Sequence, residues 1–233
     1  MQKGLKIGLL GYGKMGQTID SILSSSKTND EVVWKANSQN AADIIKSRIS
    51  EADVIIEFSR PERAVSNFKA VLDAGIPLVT GTTGWLNELD AITAYCTQKD
   101  GAFFHAPNFS IGVNLFFELN EWFADRMRHF AQYEPSLSET HHTSKLDSPS
   151  GTGLHLANQI LALRTDKNKW VEQLAQNSNE LALISQRVPD VPGTHEVLYE
   201  SEEDQILLRH LAYSRAGFAK GAIAAARWLV TNT

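Results

Sequence analysis

The chain reads as an α/β protein: a parallel sheet with helices on both faces, followed by an α+β unit with a sheet of its own. Three observations predict this. Short, almost wholly apolar strands alternate with amphipathic helices through the first 110 residues, as strands covered on both faces should. A glycine-rich turn follows the first of these strands and opens a helix. Beyond about residue 130 the pattern changes to longer strand-like runs, two of them joined by the hairpin signal Glu202-Glu203-Asp204. At 233 residues the chain can build one large or two modest domains with a substantial core. The pattern divides it into residues 1–110 with 212–233, and residues 111–211.

Lys6-Ile7-Gly8-Leu9-Leu10 is the first strand. Gly11-Tyr12-Gly13-Lys14-Met15-Gly16 then completes a G-x-G-x-x-G ahead of a helix face made by Ile19, Ile22 and Leu23. Placed between strand and helix, these glycines give a tight turn and let a pyrophosphate approach the helix N-terminal amides, so the first domain is a Rossmann-like dinucleotide-binding domain. An acid about 20 residues past the glycines usually holds the ribose 2′-OH. After the second strand, Glu31-Val32-Val33-Trp34, stand Lys35, Ala36, Asn37 and Ser38 instead. Lys35 would welcome a 2′-phosphate, so the expected cofactor is NADPH or NADH, with NADPH at least as good.

Val54 to Phe58 is a third strand, broken by Ser59-Arg60-Pro61 before a helix through Ala64, Phe68, Val71 and Leu72 that ends at Gly75. Ile76-Pro77-Leu78-Val79 is a fourth strand; Gly81-Thr82-Thr83-Gly84 turns into a helix from about Leu86 to Gln98. Ala102 to His105 is a fifth strand, closed by Ala106-Pro107-Asn108-Phe109. Ligands bind beyond the carboxyl ends of parallel strands, so the glycine loop, Ser59-Arg60, Gly81-Thr82-Thr83 and Pro107-Asn108 are expected to line one crevice.

Asn114 to His129 carries Leu115, Leu119, Trp122, Phe123 and Met127 on or near one helical face. Tyr133 to His142, His195 to Tyr199 and Gln205 to Tyr213 are strand-like, and Gly217 to Val230 is a closing Ala-rich helix. The run Ile206 to Leu211 is apolar on both strand faces, which predicts a sheet covered on both sides, one of them by other subunits of a homotetramer.

The chemistry concentrates in Glu139 to Thr152, ETHHTSKLDSPSGT. His141 and His142 point to opposite faces if this stretch leaves a strand, so one can move a proton while the other grips a ligand, and Lys145 lies close enough to share their site. Asp147-Ser148-Pro149-Ser150-Gly151 cannot continue a strand, and Leu154, Ala157, Ile160 and Leu161 recur at helical spacing, so a helix starts near Thr152. A Ser-Gly turn at a helix N-terminus beside a lysine is a seat for a carboxylate or phosphate, and the expected substrate is an anion. No metal is assigned.

The bulk properties agree. A net charge of −5 without a basic run argues against nucleic acid. No apolar run is long enough to span a membrane, and the run after Lys3 and Lys6 is too short for a signal peptide. Cys96 is the single cysteine, cannot form an internal disulfide and fits a reducing cytoplasm. His105 and His129 are read as a hydrogen-bonded strand end and a helix C-terminus; His155 begins a helix, and His195 and His210 lie in the second sheet without an assigned role.

On these residues the chain resembles the 4-hydroxy-tetrahydrodipicolinate reductase (dihydrodipicolinate reductase) family of the bacterial and plant lysine pathway, over nearly its whole length. The resemblance is carried by GYGKMG, EFSRPE at Glu57 to Glu62, GTTG at Gly81 to Gly84, APNFSIGVN at Ala106 to Asn114, the E-x-H-H-x-x-K-x-D-x-P-S-G-T stretch, and HLAYSRAGFAKGAIAAARWL near the end. It implies proton transfer by His141 and Lys145, substrate binding by His142, Gly151 and Thr152, and cofactor contacts from Gly81, Thr82, Thr83 and the Ala106 to Phe109 loop. It also implies reduction of 4-hydroxy-tetrahydrodipicolinate, a cyclic imine dicarboxylate, to tetrahydrodipicolinate with loss of water, in the cytoplasm. The chain departs from the family pattern in a glycine loop one residue tighter, in lacking an acid-arginine pair after the second strand, and in a compressed Ile184 to Gly193 approach to His195 that holds Pro189 and Pro192. Two other readings, an amino-acid dehydrogenase and a non-catalytic dinucleotide sensor, account for the first domain but give no reason for the histidine-lysine stretch.

Overall fold

The structure, a computed structural model, describes residues 4–143, 145 and 147–233. Residues through Ser110 together with Arg215–Thr233 form one compact unit, and Ile111–Ser214 form the other. The chain re-enters the first unit at Arg215, three residues past the expected 212, because the last strand runs on to Ala212 before the final helix can begin.

In the first unit β1 (Lys6–Leu10), β2 (Glu31–Ala36), β3 (Val54–Glu57), β4 (Leu78–Thr80) and β5 (Phe103–His105) form a parallel sheet in the order β2-β1-β3-β4-β5. The helices are α1 (Lys14–Ser25), α2 (Ala41–Arg48), α3 (Pro61–Asp73) and α4 (Leu89–Gln98), with the chain's last helix, Ala216–Thr231, returning to this unit. Strand alternation feeds two cores. Ile7, Leu9, Val54 and Ile56 pack against Ile19 and Leu23 of α1 and against Ala219, Ala222 and Ala226 of the last helix. Leu10, Ile55 and Leu78 pack on the other face against Ala64, Phe68 and Val71 of α3, with Trp85 and Ile92. Phe68 meets Trp85 edge-on at 4.9 Å between ring centres and Phe103 at 5.4 Å, which fixes the start of the 85–98 segment against α3.

In the second unit α5 (Ile111–Met127) and α6 (Gly151–Leu163) lie on one face of a sheet made of β6 (Glu134–His141), β7 (Lys169–Val171), β8 (Glu180–Arg187), β9 (Gly193–Glu200) and β10 (Gln205–Ala212), in the order β10-β9-β6-β8-β7. β9 runs antiparallel to β6 and β10; β8 runs parallel to β6 and β7. Leu137, Leu183, Val197 and Tyr199 meet Phe116, Met127, Leu156 and Ile160 in the core. Fully buried Asn120 of α5 donates to the Leu156 carbonyl at 3.2 Å and to Gln159 at 2.9 Å, tying α5 to α6. Arg164, almost fully buried just past α6, makes a two-pronged ion pair with Asp166 and donates to the Tyr133 carbonyl, anchoring that loop beside β6.

The opposite face of this sheet carries Ser138, Thr140, Glu196, Leu207, Arg209 and Leu211, and none of the described helices of the unit belongs to a core on that side. Leu207 is 47% exposed and Leu211 39%. A groove of about 460 Å³ runs along it, lined by Thr140, Pro192, Glu196, Arg209 and Tyr213 among others.

The structure adds α2, β7 and β8 to the elements expected from the sequence. α2 buries no residue completely, so it offers little periodicity. β8 is a centre strand with Glu180, Leu181, Ala182 and Leu183 all buried; a run buried on both sides lacks the alternation that marks a half-exposed strand.

Candidate active site

In the first unit the C-terminal ends of the parallel strands bring the predicted dinucleotide loops together. Gly11 has φ +101°, and a side chain there would collide with the Phe58 carbonyl, so the β1 turn can pass the β3 turn only as glycine. Gly13 is the N-cap of α1 and supplies no capping side chain, and space in front of it is open for 4 Å. An uncapped helix start faced by open space fits a pyrophosphate, which would be held by the first-turn amides of Lys14, Met15 and Gly16. The Tyr12 hydroxyl donates to Asp20 of α1 at 2.5 Å.

The floor beneath these loops is Glu57, fully buried at the end of β3. It accepts hydrogen bonds from Thr80 (2.5 Å), Thr82 (2.8 Å) and the Ser59 amide (3.0 Å), while Ser59 N also donates to Thr82 Oγ1. One carboxylate thereby sets the Ser59 and Gly81-Thr82-Thr83 loops against each other. Ala106 follows β5, its amide on the Thr80 carbonyl, and Pro107 and Asn108 continue the same edge. Phe109 is buried in the core against Phe58 and Phe104, so its side chain is a packing element rather than part of an open ligand surface.

Lys35 departs from its expected role as a mobile cation. Its ammonium lies 2.6 Å from Asp20 of α1 and 5.3 Å above the Tyr12 ring. An acid therefore does stand beside Lys35, but it comes from α1, fifteen positions earlier in the chain, and not from the end of β2.

In the second unit Glu139, His141 and His195 form one buried cluster. Glu139 and His195 are register partners on β6 and β9, and Ser185 of β8 is the partner of Glu139 on the other side. Glu139 is 1% exposed. Its Oε1 accepts from the Ser150 amide (2.8 Å) and the Ser185 hydroxyl (3.0 Å), and its Oε2 accepts a very short bond from the Ser150 hydroxyl. His141 Nδ1 stands 3.8 Å from Oε1, His195 Nε2 3.6 Å from Oε2, and the two imidazoles meet edge-on at 4.9 Å. Ser150 is also the N-cap of α6, accepting from the Gly153 amide at 3.0 Å. A side chain at Gly153 would fall 2.5 Å from Glu139 Oε2, so the first turn of α6 is glycine because the carboxylate sits against it.

Gly151 and Thr152 open α6 as expected, with nothing within 4 Å of where a Gly151 side chain would be. His141 closes β6 with its ring buried, and half-buried His142 follows it. Lys145 holds both Asp147 carboxylate oxygens at 2.8 Å. Arg187 at the end of β8 donates to the Lys145 and Asp147 carbonyls at 3.4 and 2.6 Å and lies 3.8 Å from Glu139, clamping the Lys145 loop to the sheet. Sequence reasoning named His141, His142, Lys145 and the helix start and counted Glu139 in the stretch without giving it a role; it assigned nothing to His195 and passed over Ser185 and Arg187, although the acid two before His141 on the same strand face was a usable signal.

Burial raises the Glu139 carboxyl, but His195 and the two Ser150 donors outweigh it and bring its pKa from the ordinary 4.5 down to about 2. Burial also acts on His141 and, with the His195 imidazole and the Lys145 and Arg187 cations beside it, overcomes Glu139 and lowers its pKa from 6.5 to about 4. Glu139, His141 and His195 have the donor types of a metal site. Against that role, both Glu139 oxygens already accept hydrogen bonds, and the Arg187 and Lys145 charges oppose a second cation. The cluster is better described as a carboxylate-imidazole network at a helix N-terminus.

A Rossmann-like sheet bearing an uncapped glycine turn, and a second unit with a buried histidine pair beside a helix N-terminus, define a two-unit protein of the dinucleotide-dependent oxidoreductase class. Residues 5–109 match the family described as "Dihydrodipicolinate reductase, N-terminus" and residues 112–233 the one described as "Dihydrodipicolinate reductase, C-terminus". The chain belongs to the dihydrodipicolinate reductase family. It is 42% identical to the 4-hydroxy-tetrahydrodipicolinate reductase of Christiangramia forsetii over 98% of this chain and 94% of that protein. With the enzyme of the same name from Methanosarcina barkeri it shares 34% identity over 77% of this chain and 68% of that protein. Its fold is similar to that of a dipicolinate-bound dihydrodipicolinate reductase from Paenisporosarcina sp. TG-14, with a TM-score of 0.72 at 21% identity, over 98% of this chain and 96% of that one. Family and fold together imply a nicotinamide dinucleotide cofactor.

The depressed pKa values set a pH dependence of stability. Between pH 6.5 and about 4 the unfolded chain binds a proton at His141 that the folded chain refuses, so stability falls as pH falls through that window. Glu139 contributes stability that is complete above 4.5 and is lost as pH drops toward about 2. Urea unfolding midpoints should decline in these two stages, and His141→Gln should flatten the upper one. A midpoint constant from neutral pH down to pH 4 in the parent would contradict the buried, neutral His141.

Proposed function

We propose that the chain reduces 4-hydroxy-tetrahydrodipicolinate to tetrahydrodipicolinate, with loss of water, in lysine biosynthesis through diaminopimelate. The observation that carries this reading is that the ETHHTSKLDSPSGT stretch of a chain in this family folds so that a proton-transfer imidazole and an anion-receiving helix start share one buried carboxylate. The bound nicotinamide dinucleotide supplies the hydride. Gly151 and Thr152 at the start of α6 hold one substrate carboxylate, with His142 and Lys145 binding the same dianion. Reduction of the conjugated ring leaves electron density that takes up a proton, which His141 and Lys145 deliver. His141 is neutral in the free protein, held so by burial and by the Lys145 and Arg187 charges. A bound dianion offsets those charges and restores the proton affinity that an acid needs. The two units act as dinucleotide-binding and substrate-binding domains. Turnover is measured by nicotinamide absorbance with substrate generated by the preceding synthase. His141→Gln should lower kcat by roughly 10²–10⁴-fold with little effect on cofactor affinity. A variant within twofold of the parent would remove His141 from the chemistry.

Cofactor choice rests on the Lys35–Asp20 pair. The ammonium favours a 2′-phosphate, and Asp20 both shares that ammonium and repels the added charge. We expect both cofactors to serve, NADPH at least as well as NADH. Lys35→Ala should lower, and Asp20→Asn raise, the NADPH-to-NADH ratio of kcat/KM by about two- to fivefold each, the scale of an exposed ion pair, with smaller effects at high salt. Ratios unchanged in both variants would make the pair a surface feature only.

The open face of the second sheet supports a homotetramer. Leu207 and Leu211 stand exposed there among Ser138, Thr140, Glu196 and Arg209, a mixed surface that a like sheet from another subunit can cover. Light scattering should give four times the chain's 25.8 kDa at micromolar concentration. A monomer would leave that face to solvent and refute the assembly.

A further inference from the structure

Glu139 touches neither of the groups proposed to move protons or seat the substrate at hydrogen-bond distance, yet it reaches both. On one side its two oxygens take the amide and hydroxyl of Ser150, the residue that caps α6 and so sets the direction of its first-turn amides. On the other it faces His141 at 3.8 Å and His195 at 3.6 Å. Ser185 from β8 and the missing side chain of Gly153 hold the carboxylate in place from two further directions. Around it from neighbouring elements stand Arg187 of β8 and His195 of β9, and from the loop after β6, Lys145 and Asp147; His210 of β10 lies beyond His195.

We infer that Glu139 is a positioning residue for the reaction, joining the anion-receiving start of α6 to the His141–His195 imidazole pair through one buried carboxylate. This rests on the functional reading above and adds to it how binding and proton transfer are coupled. Through Ser150 the carboxylate fixes where the substrate carboxylate sits. Through space it raises the proton affinity of His141, while the His195 imidazole and the Lys145 and Arg187 cations lower it. Helix position and imidazole charge therefore depend on the same two oxygens. A carboxylate with fewer bonds to α6 would be free to turn toward the imidazoles, and one drawn further into the cap would abandon them.

The test compares the full-length parent with Glu139→Gln and Ser150→Ala, measuring the pH profile of kcat and the affinity for pyridine-2,6-dicarboxylate as the probe. In Glu139→Gln the proton affinity of His141 drops, so the alkaline limb of kcat should move to lower pH by about one unit, with kcat down roughly 10- to 100-fold and the probe bound several-fold more weakly. Ser150→Ala removes the hydroxyl that caps α6 and binds Glu139, and with it a 3.3 Å contact to His195 Nε2, so probe affinity should fall with a smaller movement of the limb than in Glu139→Gln. A merely structural role would lower both activities without moving a limb. A folded Glu139→Gln protein with the parent's limb and affinity overturns the role. Should Glu139→Gln fail to fold, Glu139→Asp decides: its shorter arm cannot serve both α6 and the imidazoles, so a limb moved from the parent's upholds the coupling and an unmoved limb overturns it. A parent that neither binds the probe nor turns over substrate overturns the functional reading and this role with it; a parent that does both leaves any failure with Glu139 alone.

Discussion

A carboxylate can be buried only if its oxygens are supplied with donors, and Glu139 takes its donors from separate parts of the second unit. The amide and hydroxyl of Ser150 bring the start of α6, Ser185 brings β8, and the register of β6 with β9 brings His195. Leaving one such buried group without its partner costs about 1–3 kcal/mol, more when it is charged, so the α6 start, the β8 register and the histidine pair are fixed together. Glu57 plays the corresponding part in the first unit, drawing the Ser59, Thr80 and Thr82 loops onto one pair of oxygens. In each unit a loop proposed to bind ligand is held by a buried acid.

The same arrangement sets the electrostatics. Glu139 remains ionised far below neutral pH because His195 and Ser150 outweigh the cost of burial. His141 remains uncharged because burial, the neighbouring His195 imidazole and the Lys145 and Arg187 cations outweigh Glu139. An anion entering beside Lys145 and Arg187 alters that second balance without any change in the packing around it, which suits a site that must acquire a proton only when substrate is present.

Much of this was legible in the sequence. The glycine loop, the strand-helix alternation and the Ser-Gly break after Asp147 each have a local signature, and the parallel sheet and α6 follow from them. β8 left no such mark: its buried run lies between β6 and β7, where alternation disappears. Lys35 stood out as a residue, but its partner Asp20 lies on α1, fifteen positions earlier in the chain, and only the fold brings them together. Arg187 likewise reads as a surface cation until β8 pairs with β6 and delivers it to the Lys145 loop. The residues that do chemistry announce themselves by type and spacing; those that hold them in place are chosen by long-range pairing.

The start of α6, braced by Glu139 and adjoining His141, is proposed as the seat of the substrate's carboxylate. A crystal structure with pyridine-2,6-dicarboxylate and a nicotinamide dinucleotide bound tests it most directly. The account predicts one ligand carboxylate on the Gly151 and Thr152 amides, with the ring beside His141 and Lys145. Ligand bound elsewhere, with the α6 amides facing solvent, would contradict it.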